Sequence, residues 1–243
     1  MRGKLIVIEG TDCSGKETQS KLLLKNLNEM GMKTEVISFP VYNSPTGRIV
    51  GSCYLGKEEL CNKYLGGVKG WFDEGATNVD GMVASMYYAA DRKYNIGYVN
   101  KLLDEGVNVI LDRYIYSNMA HQACKISDVK EQMNIIKKLE LLEFGLLELP
   151  KPDITFLLYV PYNVAQELKK GREEVGDQHE NDIEYLKRAE ATYLMLKELY
   201  GFDIVECVSD RGIRTKEDIS EEVLDKTMSL LKKKEFKKCL KKY

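Results

Sequence analysis

Histidine, tryptophan and proline are scarce in this chain, at two, one and five of 243 residues. The two histidines and six scattered cysteines (Cys13, Cys53, Cys61, Cys124, Cys207, Cys239) form no C-x-x-C pair. That pattern argues against a zinc site or a disulfide framework and fits a reducing compartment. No stretch reaches the ~18 apolar residues of a membrane span. The short apolar run in "MRGKLIVIEG" is strand-like and unlike a leader. The expectation is a soluble cytoplasmic protein without membrane contact. An excess of either charge is missing as well: 36 Lys and Arg face 38 Asp and Glu, for a net charge of −2, so nothing global calls for nucleic acid. No fixed-period repeat and no convincing linker divides the chain, so residues 1–243 read as one domain.

What the chain does have is alternation. The β-branched run "KLIVIEG" (4–10) precedes a helical pattern from Gly15 to Gly31, with Leu22, Leu23, Leu27 and Met30 on one face. Further strands are predicted at 33–39, 107–113, 154–160 and 203–208. Helices are predicted at about 80–104, 115–123, 130–149, 162–171, 180–200 and from Lys216 onward, with "PKPD" (150–153) stopping the third of these. Strands alternating with helices imply an α/β fold, a parallel sheet covered on both faces. The stretch 61–80 is the least regular and reads as an insertion or mobile loop, and the basic tail "LKKKEFKKCLKKY" as a solvated helix end.

The run "GTDCSGKETQ" (10–19) fits Gly-x-x-x-x-Gly-Lys between a strand and a helix, the setting a phosphate-binding loop requires. Backbone N–H groups from Gly10, Thr11, Asp12, Cys13, Ser14 and Gly15 would cradle phosphate oxygens at the helix N-terminus, and Lys16 would add a point charge. Glu17 stands where such loops place a magnesium-binding Ser or Thr, and Thr18 follows. A carboxylate is a hard ligand suited to Mg²⁺ but repels phosphate, so Asp12, Glu17 and Asp112 are all metal candidates, directly or through water.

Two other constellations point to an acceptor. Asp112-Arg113 in "LDRYIYSNMAHQ" ends the third predicted strand, the edge where open α/β sheets bind ligands, and Arg113 offers a fork for a phosphate. In "MYYAADR", Tyr88 and Arg92 lie at i and i+4, so an aromatic plane and a guanidinium can address one base.

Together "IEGTDCSGKETQ", "FPVYNSPTG", "YYAADR", "LDRYIYSN", "LPKPD" and "DQHENDIEYLKRAEATYLML" resemble the thymidylate kinase family from Lys4 to about Leu199. The resemblance implies a three-layer P-loop nucleoside monophosphate kinase fold, a five-stranded parallel sheet surrounded by helices, usually as a homodimer. It implies ATP and dTMP as substrates, with Mg²⁺. Asp12 would sit near the acceptor sugar and metal, and Phe39, Pro40 and Tyr42 would shape the acceptor pocket. Tyr88 would stack on thymine, Arg92 reach its O4, Ser117 and Asn118 read the base edge, and Arg113 clamp the dTMP phosphate. His121 stands where many relatives carry a tyrosine beside the sugar 2′ position. Residues 169–180 resemble the family's lid, with Arg172 reaching the transferring group and Asp177 and Glu180 matching its carboxylates.

Phosphoryl transfer to a phosphate oxygen needs positioning and charge neutralisation rather than a base. A deoxynucleoside kinase would want a general base just after the second strand, where the chain reads "FPVYN". A nucleotide-binding regulator with Glu17 as its lesion is the other alternative, opposed by intact Lys16, Arg113 and Arg172.

Overall fold

The computed structural model describes residues 2–11, 13–76, 78–170 and 183–240. Five parallel strands form its sheet: β1 (Leu5–Gly10), β2 (Thr34–Ser38), β3 (Asn108–Asp112), β4 (Ile154–Tyr159) and β5 (Asp203–Glu206), in the order β2-β3-β1-β4-β5. β1 is central and buried along its whole length, which is why its sequence is a continuous apolar run instead of an alternation. Asp153 anchors its start by accepting the Leu5 N–H at 2.9 Å and pairing with the Lys4 ammonium.

The two-residue period of the strands sorts their side chains onto opposite faces. Ile6, Ile8, Ile110, Phe156 and Leu158 pack with Leu23 and Leu27 of α1 (Lys16–Glu29). The same cluster takes in Ile219 and Val223, near the start of the last helix, Lys216–Leu240. Leu5, Val7, Val109, Leu111 and Leu157 form the other cluster with residues of the long helix Gly81–Asp104 and of helices Ile115–Ala123, Val129–Glu140 and Ile183–Tyr200. Three layers result, with the core split between the two sheet faces.

Several expected elements form with shifted ends, and three forms were not foreseen. The turn-rich segment after β2 contains α2 (Pro45–Arg48), a π-helical turn (Ile49–Tyr54) and α3 (Glu58–Tyr64). Ser44 caps α2 by accepting the Gly47 N–H at 3.0 Å, with Pro45 in the first turn. The supposed insertion 61–80 therefore opens inside α3. Its later residues Phe72, Ala76 and Val79 pack on Val50, Tyr54 and Ala84, close to Tyr88. α4 is Gly81–Asp104, capped by Asp80, and α5 is Ile115–Ala123. The helix expected over 130–149 is α6 (Val129–Glu140) followed by a π-helical turn (Leu141–Leu146). α7 is Tyr162–Lys170 and α8 Ile183–Tyr200. The fifth strand ends at Glu206, and a small antiparallel hairpin, β6 (Val208–Ser209) and β7 (Gly212–Ile213), precedes α9 (Lys216–Leu240). Among the described residues no helix is long and apolar enough to cross a membrane.

Phe156 lies fully buried on β4 in the cluster under α1 and α9. Phe156→Ala is expected to destabilise the fold by ~3–5 kcal/mol, read as a lower urea midpoint at unchanged denaturant slope.

Candidate active site

Parallel register gathers the chemistry at one edge of the sheet. Ile8 pairs with Asp112, and Asp112 with Ser38, so the loop after β1, the Asp112-Arg113 pair and the segment after β2 emerge side by side.

The loop after β1 is built for close approach. A Cβ on Gly10 would lie 2.4 Å from Ser14 Oγ and 2.6 Å from the Leu158 carbonyl, so only glycine fits. Gly15 takes φ 78° to turn the chain into α1. Thr11 locks the loop to the end of β4, its hydroxyl donating to the Val160 carbonyl at 2.8 Å and accepting the Val160 N–H at 3.1 Å. Buried Lys16 is held inside by the Gly10 and Thr11 carbonyls at 3.1 and 2.8 Å and by Ser14 Oγ at 3.5 Å. Cys13 has φ 57°, a left-handed conformation uncommon outside glycine. Asp12 lies outside the described residues. Glu17 and Thr18 are exposed, and the Glu17 carboxylate pairs with Lys21 at 2.6 Å along the helix.

Beside the loop opens a cavity of about 260 Å³. Nine residues expected at the acceptor site line it: Phe39, Pro40 and Tyr42 after β2, Tyr88 and Arg92 from α4, Arg113 after β3, and Ser117, Asn118 and His121 from α5. The Phe39–Pro40 peptide is cis. Arg172, Asp177 and Glu180 lie outside the described residues. A wider, open depression of about 990 Å³ between β6–β7 and α9 contains none of these groups.

Arg113 has φ 66°, a costly conformation for a non-glycine residue of the kind that clusters at functional sites. Its N–H donates to the Ile8 carbonyl at 3.0 Å, fixing it against β1. Burial pushes the Asp112 carboxyl up, against the pull of Arg113 and Lys16, so the loop after β1 and Arg113 share one electrostatic neighbourhood.

Three buried carboxylates that sequence reasoning missed hold the cavity walls. Glu9, on the β1 face under α5, accepts the N–H groups of Tyr114 and Ser117 at 2.8 and 3.1 Å and the Ser117 hydroxyl. Asp91 accepts from Val41 N (2.8 Å), Ser44 Oγ (3.0 Å), Thr46 Oγ1 (2.8 Å) and Asn95 Nδ2 (2.9 Å), pinning the segment after β2. Glu143, on the second π-helical turn, accepts Arg92 Nε at 2.9 Å and Arg92 Nη2. The available sign was an acid among apolar neighbours, as in "LIVIEG" and "LLEFGLL". Leu55, Lys57, Tyr114 and Gln122 also line the cavity without a legible motif.

These contacts bear on two of the residues expected at the acceptor site. The Ser117 hydroxyl donates to Glu9 and lies 3.1 Å from Tyr193 Oη, so Ser117 secures the start of α5 while lining the cavity. Arg92 commits Nε and Nη2 to Glu143, which leaves Nη1 for a ligand. His121 Nδ1 lies 2.7 Å from Tyr185 Oη with the rings stacked, tying the cavity to the first turn of α8. Asn118 Oδ1 and Gln122 Oε1 are buried without a partner among the described residues.

A family model described as thymidylate kinase matches residues 8–223. The chain is 31% identical to a probable thymidylate kinase of Methanocaldococcus jannaschii over 83% of its length and 85% of that protein. It is 27% identical to the thymidylate kinase of Schizosaccharomyces pombe over 92% and 91% of the two chains. The solved thymidylate kinase of Candida albicans superposes with a TM-score of 0.71 at 25% identity, covering 94% of this chain and 92% of that one.

Burial raises the Glu9 pKa, although Ser117, the Tyr114 N–H and Arg113 pull the other way. Between the ordinary glutamate range and the raised value, the folded protein holds a proton that the unfolded chain has released. That stabilisation is complete at low pH and is lost as pH rises through the raised value. Glu9→Gln abolishes this dependence. Wild type should therefore lose stability relative to Glu9→Gln as pH rises above the ordinary glutamate range, read from paired urea titrations; a relative gain would contradict it.

Proposed function

This chain belongs to the thymidylate kinase family, and on that footing we propose that it transfers the γ-phosphoryl group of ATP to dTMP, giving ADP and dTDP. The observation that carries the reading is the cavity beside the strand ends that nine of the expected residues line. There Tyr88, Arg92 and Asn118 form a face for a base, and Arg113 reaches the neighbourhood of Lys16.

A phosphate oxygen of dTMP attacks the γ-phosphorus, a new P–O bond forms, and the bond to the β,γ-bridging oxygen breaks with its electron pair passing to ADP. An ionised phosphate needs no proton removed, so the protein's part is alignment and charge neutralisation. Lys16 exchanges loop carbonyls for donor phosphate oxygens, and the Arg113 fork holds the acceptor phosphate beside them. Arg172 is the arginine we assign to the lid side of the transferring group, with Asp177 and Glu180 as acceptor-side carboxylates and Asp12 near the acceptor sugar.

Mg²⁺, when bound, would neutralise charge on the donor phosphates. Its carboxylate here is proposed to be Asp112, acting through water. This is supported by its place at the strand end beside Lys16, and by the preference of Mg²⁺ for few protein ligands and several waters. Glu17 is the weaker candidate because Lys21 engages it.

The same cavity disfavours phosphorylation of a nucleoside hydroxyl. Glu9, Asp91 and Glu143 already accept donors from the protein, and none follows β2 as a free general base.

We also propose a homodimer through the outer face of α4, where Met86, Tyr94 and Tyr98 are exposed at 53%, 61% and 58%. Light scattering should give twice the chain mass, and Tyr94→Glu with Tyr98→Glu should yield a monomer.

A coupled ADP-release assay should show turnover with dTMP above dUMP, UMP, dCMP and AMP. Arg113→Ala should lower kcat/KM for dTMP by ~10²–10³-fold with little change in the KM for ATP. Absence of a dTMP preference, or better turnover of thymidine, would overturn the reading.

A further inference from the structure

Arg92 and Asn118 reach the acceptor cavity from different helices, yet both rest on one carboxylate. Glu143 is fully buried and accepts Arg92 Nε at 2.9 Å, Arg92 Nη2, and Asn118 Nδ2 at 3.4 Å. The other neighbour of Asn118 Nδ2 is also an acceptor, the Ser85 carbonyl at 3.5 Å. An amide turned the other way would set its oxygen against a carboxylate and a carbonyl, so the nitrogen is held toward Glu143. Oδ1 is then left over, buried and without a donor among the described residues. A buried acceptor in that state costs free energy until a ligand supplies an N–H. Arg92, with Nε and Nη2 committed, keeps the hydrogens of Nη1.

We infer that Glu143, which touches no reacting atom, is the positioning residue that sets base selectivity: it imposes an acceptor at Asn118 beside a donor at Arg92. That pair complements an imide edge, in which a ring N–H adjoins a carbonyl. A 4-aminopyrimidine presents the reverse, an unprotonated ring nitrogen beside an amino group, and sets acceptor against acceptor and donor against donor. The inference rests on the thymidylate reading above and deepens it.

Glu143→Gln tests it. The new carboxamide can donate to Asn118 Oδ1, which frees the amide to turn and present Nδ2 to the cavity. The informative comparison is dUMP with dCMP, which differ only at this edge, while dTMP with dUMP reads the 5-methyl group alone. Wild type should favour dUMP over dCMP by at least ~100-fold in kcat/KM, and Glu143→Gln should reduce that ratio at least ~10-fold. The dTMP-to-dUMP ratio and the KM for ATP should stay within about twofold. A folded variant with the dUMP-to-dCMP ratio unchanged overturns the inference. So does loss of both ratios together, which marks a general loosening of the pocket.

If Glu143→Gln does not fold, competition binding to the unaltered enzyme decides. Equal affinity for dUMP and dCMP overturns the inference, and a preference for dUMP of at least ~100-fold supports it. Failure of the wild type to phosphorylate dTMP would instead overturn the functional reading and leave the binding comparison standing on its own.

Discussion

A cavity for a doubly charged phosphate ester is built here over buried carboxyl groups, and that constraint organises the structure around it. A carboxylate taken out of water must be met by donors at nearly every lone pair, or it neutralises or destabilises the fold. Glu9 draws in the two N–H groups that open α5, Asp91 draws in the segment after β2, and Glu143 draws in Arg92 and Asn118. Tyr114, Ser117, Arg92 and Asn118 line the cavity themselves, and the Val41 N–H that Asp91 accepts adjoins the lining residues Pro40 and Tyr42. Satisfying the carboxylates and shaping the site are one event, so the walls cannot relax independently of the core beneath them.

Much of the fold was legible because its strongest signals are local. A fully buried parallel strand has to be an unbroken apolar run, and β1 and β4 are written that way. Helix α4 announces itself by length and by the cap at Asp80. The stretch 45–64 hid its helices for physical reasons. Its apolar residues serve a small satellite cluster with Ala76 and Val79 instead of the main core, so no long helical stripe forms. The Ser44-Pro45 cap was the one local cue there, and it sits among turn-forming residues that mask it. The helix after Val129 changes to π-helical winding at Leu141, a transition that puts Glu143 inside the protein and that residue spacing at 3.6 per turn does not announce.

The site divides along similar lines. Residues expected to contact a ligand occur in compact motifs, and nine described ones expected at the acceptor pocket line one cavity. Residues that orient them are spread over strand, helix and π-helical turn, and pairing them needs the third dimension: Glu9 finds Ser117 across 108 positions, and Arg92 finds Glu143 across 51. Ser117 and Asn118 both line the cavity, and it takes the folded structure to show that the Ser117 hydroxyl also donates to Glu9.

Asp153 carries a consequence for how the chain is made. The central strand begins at residue 5, but the carboxylate that anchors it lies 148 positions later, and its two flanking strands start at Asn108 and Ile154. During synthesis the run "LIVIEG" leaves the ribosome long before either neighbour exists. For that interval an apolar, β-prone segment waits with both edges unpaired. β3 closes one edge of β1 and β4 the other, and the outer strand β5 is added after both. High sequence separation of this kind slows folding and lengthens exposure to chaperones and to other nascent chains.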